Sequence, residues 1–240
     1  MHACTDIHAP AAGGRRQAPR HDPLALPGPW SRWITERFGP GRAADGTPAL
    51  LAPACPGSVL PDVMIRPLPR GDAGPLQHVF DRMSSDSRWM RFLGAAPSLD
   101  TGLLARLADV DHEAHGCWVA SINGTPVGIG RYIRTFPDPA VAEVAFEVVD
   151  ARQGQGIGRL LVDVVGTAAA DVGVTSLMWL MAETNSRVRR LAAPLGGRFT
   201  LDTGVLEGTT PLPAVAPRDA ELIVRCARAA RRRAAELTAA

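Results

Sequence analysis

Val141-Ala142-Glu143-Val144-Ala145-Phe146-Glu147-Val148-Val149-Asp150-Ala151-Arg152-Gln153-Gly154-Gln155-Gly156-Ile157-Gly158-Arg159-Leu160-Leu161 is the stretch that decides how this chain is read. Its first part alternates apolar and other side chains, so period two assigns Val141–Val149 to a strand. Three glycines at alternate positions follow, and an apolar helical period begins inside them, predicting a helix over Gly158–Val172. Glycine lets main-chain amides turn inward without a Cβ in the way. The free amides of a helix start, and the positive end of its dipole, attract an anion. Strand, bend and helix together predict a phosphate cradle.

Two common phosphate sites do not fit. A dinucleotide loop reads G-x-G-x-x-G, whereas Gly154, Gly156 and Gly158 are spaced by two. A P-loop needs Gly-Lys-Ser/Thr, and the 240-residue chain contains no Lys. One consequence is that no lysine of this chain can be acylated.

Working outward, Val63–Pro67 reads as a first strand, followed by a helix with Asp72 as N-cap and Leu76, Val79, Phe80 and Met83 as its stripe. Short helices follow around Trp89–Leu93 and behind Ser98–Asp100. Cys117–Ile122 and Val127–Thr135 form a hairpin through Asn123-Gly124, the strongest short hairpin signal. Leu177–Met181 is a strand, Ser186–Leu195 a helix, and Phe199–Leu201 and Val205–Thr210 two last strands. This order predicts an α/β domain over residues 62–213, with a mixed central sheet flanked by helices on both faces. Residues 1–61, interrupted by prolines throughout, read as a largely disordered tail, with a possible docked helix at Trp30–Phe38. Residues 217–240 read as an Ala- and Arg-rich helix with a basic face.

Hydrophobic residues make up 46% and charged residues 21%, ordinary for a globular protein, and a net charge of +2 is too small to imply nucleic acid. No stretch approaches the ~20 apolar residues of a membrane span. Cys4, Cys55, Cys117 and Cys226 make no C-x-x-C pair, and Met1–Pro10 lacks the apolar run of a signal peptide; both fit a cytoplasmic protein. His112 and His115 lack the H-E-x-x-H spacing of a zinc helix, so no metal is expected and a loop at the cleft edge is the better reading. Trp89, Trp118 and Trp179 are expected in the core, and Cys117 packed rather than nucleophilic.

Along the strand, Ala142, Val144, Phe146 and Val148 point to the core, and Glu143 and Glu147 share the other face. Two carboxylates on a central strand need water or a cleft. A carboxylate there can take the proton of a substrate ammonium, whose pKa near ~10.4 otherwise keeps the nitrogen unreactive. Either Glu could instead neutralise Arg131 or Arg134 on the neighbouring strand.

Gln153-Gly154-Gln155-Gly156-Ile157-Gly158 resembles the Q/R-x-x-G-x-G/A signature of the GNAT N-acetyltransferases, and the resemblance extends over about Val63 to Pro213. Within that family, Asp72–Phe92 and Ala142–Leu161 look most like the bacterial protein lysine acetyltransferases. The resemblance implies acetyl-CoA as acyl donor. Main-chain groups of Val148 and Val149 would hold its pantetheine arm. Amides of Gln153, Gly154, Gln155, Gly156, Ile157, Gly158 and Arg159 would hold its pyrophosphate. Asn185 sits where the family often contacts cofactor, though Asn is also a favoured N-cap. The resemblance favours Glu143 as base, with Glu147 second. The tyrosine that several members use to protonate the leaving thiolate falls here on about Ala192, and the one Tyr of the chain, Tyr132, is elsewhere. The expected function is transfer of acetyl from acetyl-CoA to an amine, a protein lysine foremost. The alternatives are a small-molecule amine acceptor and a non-catalytic acyl-CoA sensor.

Overall fold

Asn123 and Gly124 adopt φ of 50° and 77°, the positive pair that a two-residue type I′ turn requires. They join β4 (His115–Ile122) to β5 (Thr125–Arg134), and β6 (Val141–Val148) pairs antiparallel on the far side of β5. In the computed structural model of the chain, residues 39–42, 46, 48–52, 63–94, 99–212 and 221–239 are described.

The sheet grows in both directions from this centre. β3 (Val63–Pro67) flanks β4, while α4 (Ile157–Asp171) carries the chain over the sheet so that β7 (Ser176–Ala182) runs parallel to β6. β8 (Arg198–Asp202) and β9 (Val205–Pro211) complete that side. The described sheet has nine strands in the order β1-β2-β3-β4-β5-β6-β7-β9-β8, with β1 (Gly39–Arg42) and β2 (Pro48–Ala52) at one edge. Every neighbouring pair is antiparallel except β6–β7. Those first two strands correct the reading of residues 1–61 as a tail. The rest of that segment, the Trp30–Phe38 island included, lies outside the described residues.

Helices cover both faces, as the pattern predicts. α1 (Gly74–Asp81), α2 (Ser85–Phe92) and α3 (Thr101–Ala108) lie on one; α4 and α6 (Glu221–Ala239) lie on the other. Gly130 explains how closely α4 sits, because a Cβ there would approach Val165 Cγ2 to 3.0 Å and Leu161 Cβ to 3.2 Å. Asp72 does not cap α1. Ala73 is the N-cap, and Asp72 Oδ1 accepts from Gly74 N at 3.3 Å in a local turn before the proline-led first turn. Ser84 and Asp100 do cap α2 and α3 through their side chains.

Trp118 and Trp179 are core residues, as expected, but Trp89 is 46% exposed on the outer side of α2. Cys117 is buried, and burial pushes its thiol up to about 11, consistent with a packing role. The basic helix α6 packs Ile223, Cys226, Ala227 and Ala234 inward. Arg228 grips Asp171, at the end of α4, at 2.7 Å, and Arg231 holds the second carboxylate oxygen. No helix among the described residues is long and apolar enough to cross a membrane.

Candidate functional site

β6 and β7 pair only at Val141–Glu143 with Ser176–Met178, and beyond Glu143 no further pairing joins them. The register on the other side decides which main-chain groups this leaves over. Val149 N donates to Val127 O at 3.0 Å, and Thr135 N to Val141 O at 2.9 Å, so odd-numbered residues of this strand bond to β5. The main-chain groups of Val144, Phe146 and Val148 therefore point into the gap. Val148 turns its N–H into the gap, while its carbonyl accepts from Gln153 Nε2 at 2.9 Å. Val149 does not: its N–H is committed to Val127, and its carbonyl accepts from Arg152 N at 2.8 Å.

The gap opens into a cleft of about 520 Å³ between β6, β7, α2 and α5 (Ser186–Ala192), with the glycine bend at one end. Gly154 and Gly156 have φ of 75° and 87°, conformations that glycine adopts without steric cost, and open space lies where a Cβ would point. Gly156 is the N-cap of α4 and supplies no side-chain cap. Among the described residues, the amides of Gly154, Gln155, Gly156, Ile157 and Gly158 meet no protein acceptor. Gln153 differs, since its N–H reaches Asp150 O at 3.2 Å. Gly158 also differs from the other two glycines. It is helical, and its use is close packing, because a Cβ would come within 3.3 Å of Leu191 Cδ1 on α5. Arg159 turns its guanidinium to Asp163 at 3.1 Å.

Glu143 and Glu147 share one face, as period two predicts, but their surroundings differ. Glu143 is exposed at the cleft and forms no ion pair among the described residues. Glu147 is 8% exposed and accepts from Arg91 Nε of α2 at 2.8 Å. Neither carboxylate neutralises a β5 arginine. Arg131 donates to Leu107 O and Arg134 to Pro139 O. Four residues of strand separate the two acids by about 13 Å, so they do not act as one pair.

Asn185 lines the cleft, and its Oδ1 accepts from Val188 N at 3.2 Å, so the N-cap role is present in the geometry. Sequence reasoning missed Asp150, which ties α2 to the bend. Its carboxylate accepts from Ser84 N, from Ser87 Oγ and from Gln153 Nε2. Partial burial works against ionisation there. The hydrogen bonds from Ser87 and Ser84, with the charge of Arg187, still hold the carboxyl below its usual range. Arg91 was also missed, since nothing local marks a partner 56 residues away.

The Asp111–His115 loop is not at the cleft. Asp111 Oδ1 accepts three amides, those of Glu113, Ala114 and His115, at 2.8 Å each. No metal-binding cluster of His, Cys, Asp or Glu occurs among the described residues. Burial, and then Arg131, pull His115 down to about 4 from 6.5. Between those values the unfolded chain binds a proton that the fold does not. Stability should therefore fall as pH drops from above 6.5 towards 4, then level off, by on the order of 2 kcal/mol. Urea midpoints measured at about pH 7.5 and about pH 5 should differ in that direction, with His115→Gln shrinking the difference; equal midpoints would refute the assignment. Tyr132 is buried and donates to His112 O at 2.9 Å, and Ala192 offers no proton, so neither acts as an acid on the cleft.

Residues 83–196 match the Acetyltransferase (GNAT) family. The chain is 30% identical over 169 residues to acetyltransferase Pat of Mycolicibacterium smegmatis, a match covering 66% of this chain and 49% of that one. It thus spans about half the length of that relative. Its fold is shared with the GNAT domain of S. lividans PAT, with TM-score 0.58 and 23% identity over 73% of this chain and 97% of that one. The fold is also that of yncA from Salmonella typhimurium, solved with its cofactor acetyl-CoA, at TM-score 0.51 and 19% identity over 64% and 96% of the two chains.

Proposed function

We propose that the protein moves an acetyl group from acetyl-CoA to an amine, with a protein lysine as the favoured acceptor; the match of residues 83–196 to the Acetyltransferase (GNAT) family supports this reading. The observation that carries this is the row of unmet amides from Gly154 to Gly158, aimed at a cleft that continues along the splayed strand to Glu143. Amides without a protein acceptor at a helix start suit a diphosphate. The acetyl-CoA in the Salmonella yncA structure, which has the same fold, supports the choice of donor.

Acetyl-CoA supplies an acyl carbon already activated as a thioester. This chain's residues would do the rest. Gly154–Gly158 bind the diphosphate through their amides, and Val148 N–H, pointing into the gap, can meet negative charge developing on the thioester oxygen. Glu143, directly or through a water, takes the proton that the attacking ammonium must lose. The C–N bond forms as the C–S bond breaks; the thiolate leaves with a pKa of about 8.5, low enough to depart without a dedicated acid, and the second N–H proton shed by the new amide nitrogen passes to water or to that thiolate. Glu147 holds Arg91 and so fixes α2 beside the cleft; that makes it a positioning residue rather than a second base. A macromolecular acceptor is favoured by the open surface around Glu143, where Ile133 on β5 is 43% exposed and Leu180 on β7 is 39% exposed.

The test is incubation of the purified protein with labelled acetyl-CoA and cell lysate. Label in protein bands, released by a lysine-specific deacetylase, is the expected result. Label confined to the small-molecule fraction would move the acceptor to a small amine. No transfer despite saturable acetyl-CoA binding would leave a sensor, and no binding would remove the reading altogether.

A further inference from the structure

The arginines that line the cleft fall into two groups. Arg91 pairs with Glu147 and Arg159 with Asp163, so those charges are balanced. Arg152, Arg187 and Arg190 also line it, yet none forms an ion pair with a carboxylate among the described residues. Arg152 closes the 3₁₀ turn just before the glycine bend. Arg187 and Arg190, three apart, sit on one side of α5 across from that bend. Arg187 is held there by Gln153 Oε1 at 2.5 Å, and its charge also acts on the nearby Asp150 carboxylate without forming an ion pair with it. Asp150, the nearest acid to it, is already occupied by Ser84, Ser87 and Gln153.

The cleft is therefore polarised. Its acid, Glu143, stands where β6 and β7 part, while Arg152 and Arg187 stand beside the glycine bend, with Arg190 on the same helix as Arg187. A CoA thioester has the same polarity. Its reactive group lies on one side of the diphosphate; on the other is a ribose bearing a third phosphate. With the diphosphate on the Gly154–Gly158 amides and the thioester towards Glu143, that remaining phosphate falls to the arginines beside the bend, of which Arg152 and Arg190 form no ion pair among the described residues. We propose that Arg152, Arg187 and Arg190 form a subsite for the ribose 3′-phosphate, so that the protein selects CoA thioesters over their dephospho forms. This inference rests on the acetyl-CoA reading above. Arginine is suited to the task because its planar fork meets phosphate oxygens in pairs and stays charged at any working pH.

Calorimetric titration of the full chain with CoA and with 3′-dephospho-CoA separates the inference from its premise. Wild type should bind dephospho-CoA about tenfold more weakly, as expected for the loss of one or two charge-assisted contacts at a partly wet site. Arg190→Ala and Arg152→Ala should each weaken CoA about three- to fivefold while leaving dephospho-CoA unchanged, and the double variant should close most of the gap. Equal affinity of wild type for both ligands would overturn the subsite while leaving the acetyl-CoA reading intact. A gap that persists in the double variant would also overturn it. Binding of neither ligand would remove the premise and the subsite together. These side chains are carried by a turn and a short helix at the cleft, and unchanged thermal midpoints would confirm that the variants are folded.

Discussion

Glu143→Gln should lower turnover by about three orders of magnitude and leave acetyl-CoA affinity within about twofold of wild type. The amide is isosteric and cannot take a proton, so the loss should lie in kcat rather than in binding. The defect should also shrink as pH rises towards the pKa of the amine near ~10.4, because the acceptor then arrives deprotonated. That recovery distinguishes a lost base from a distorted cleft. Glu147→Gln gives the contrast. It removes the charge that holds Arg91 at 2.8 Å, so it should loosen α2 and raise KM for the acceptor, with no recovery at high pH. If Glu147→Gln shows the pH-dependent loss and Glu143→Gln does not, the roles are reversed.

Gly156→Val should weaken acetyl-CoA binding by at least about 100-fold. At a φ of 87° a β-branched residue is strained, and the open space beside the glycine belongs to the groove, so the new side chain would stand where the diphosphate must lie. Gly173→Val is the control. Gly173 has a φ of 88° and equally open surroundings, but it follows the opposite end of α4. It should lose stability by a similar amount and keep its affinity. Matching losses of affinity in both variants would show that backbone strain, not blockage of the groove, accounts for the effect, and would place the cradle elsewhere.

The parts of this fold that could be read from sequence are those set by neighbours along the chain. The Asn123-Gly124 hairpin, the two-residue period of β6 and the glycine-to-helix bend are local, and all three stand as read, with element ends shifted by a residue or two. The similarity to GNAT acetyltransferases came from the same stretch. β1 and β2 were missed because Pro40 and Pro48 suggested breaks, yet an edge strand and a strand's first residue both tolerate proline. Asp72 was misread because local propensity could not foresee that Pro75 would set the first turn of α1. At the site, each carboxylate was visible but its partner was not. Arg91 reaches Glu147, and Ser84 and Ser87 reach Asp150, only because α2 folds back over the strand end. Val149 was assigned to the cofactor because strand parity, which sends its main-chain groups away from the gap, depends on a register that only pairing with β5 fixes.

α4 begins at the anion-attracting bend and ends at Asp171, and that far end is moored by Arg228 and Arg231 of the last helix. Packing on the sheet at Gly130 holds the body of α4, and the two arginines hold its far end. The nineteen residues of α6 thus act as a keel: they line no part of the cleft, yet they brace the helix whose first turn carries the unmet N–H groups. A shortened version ending before Glu221 would retain every residue named in the chemistry but leave Asp171 without its two arginines, and it should melt at a lower temperature.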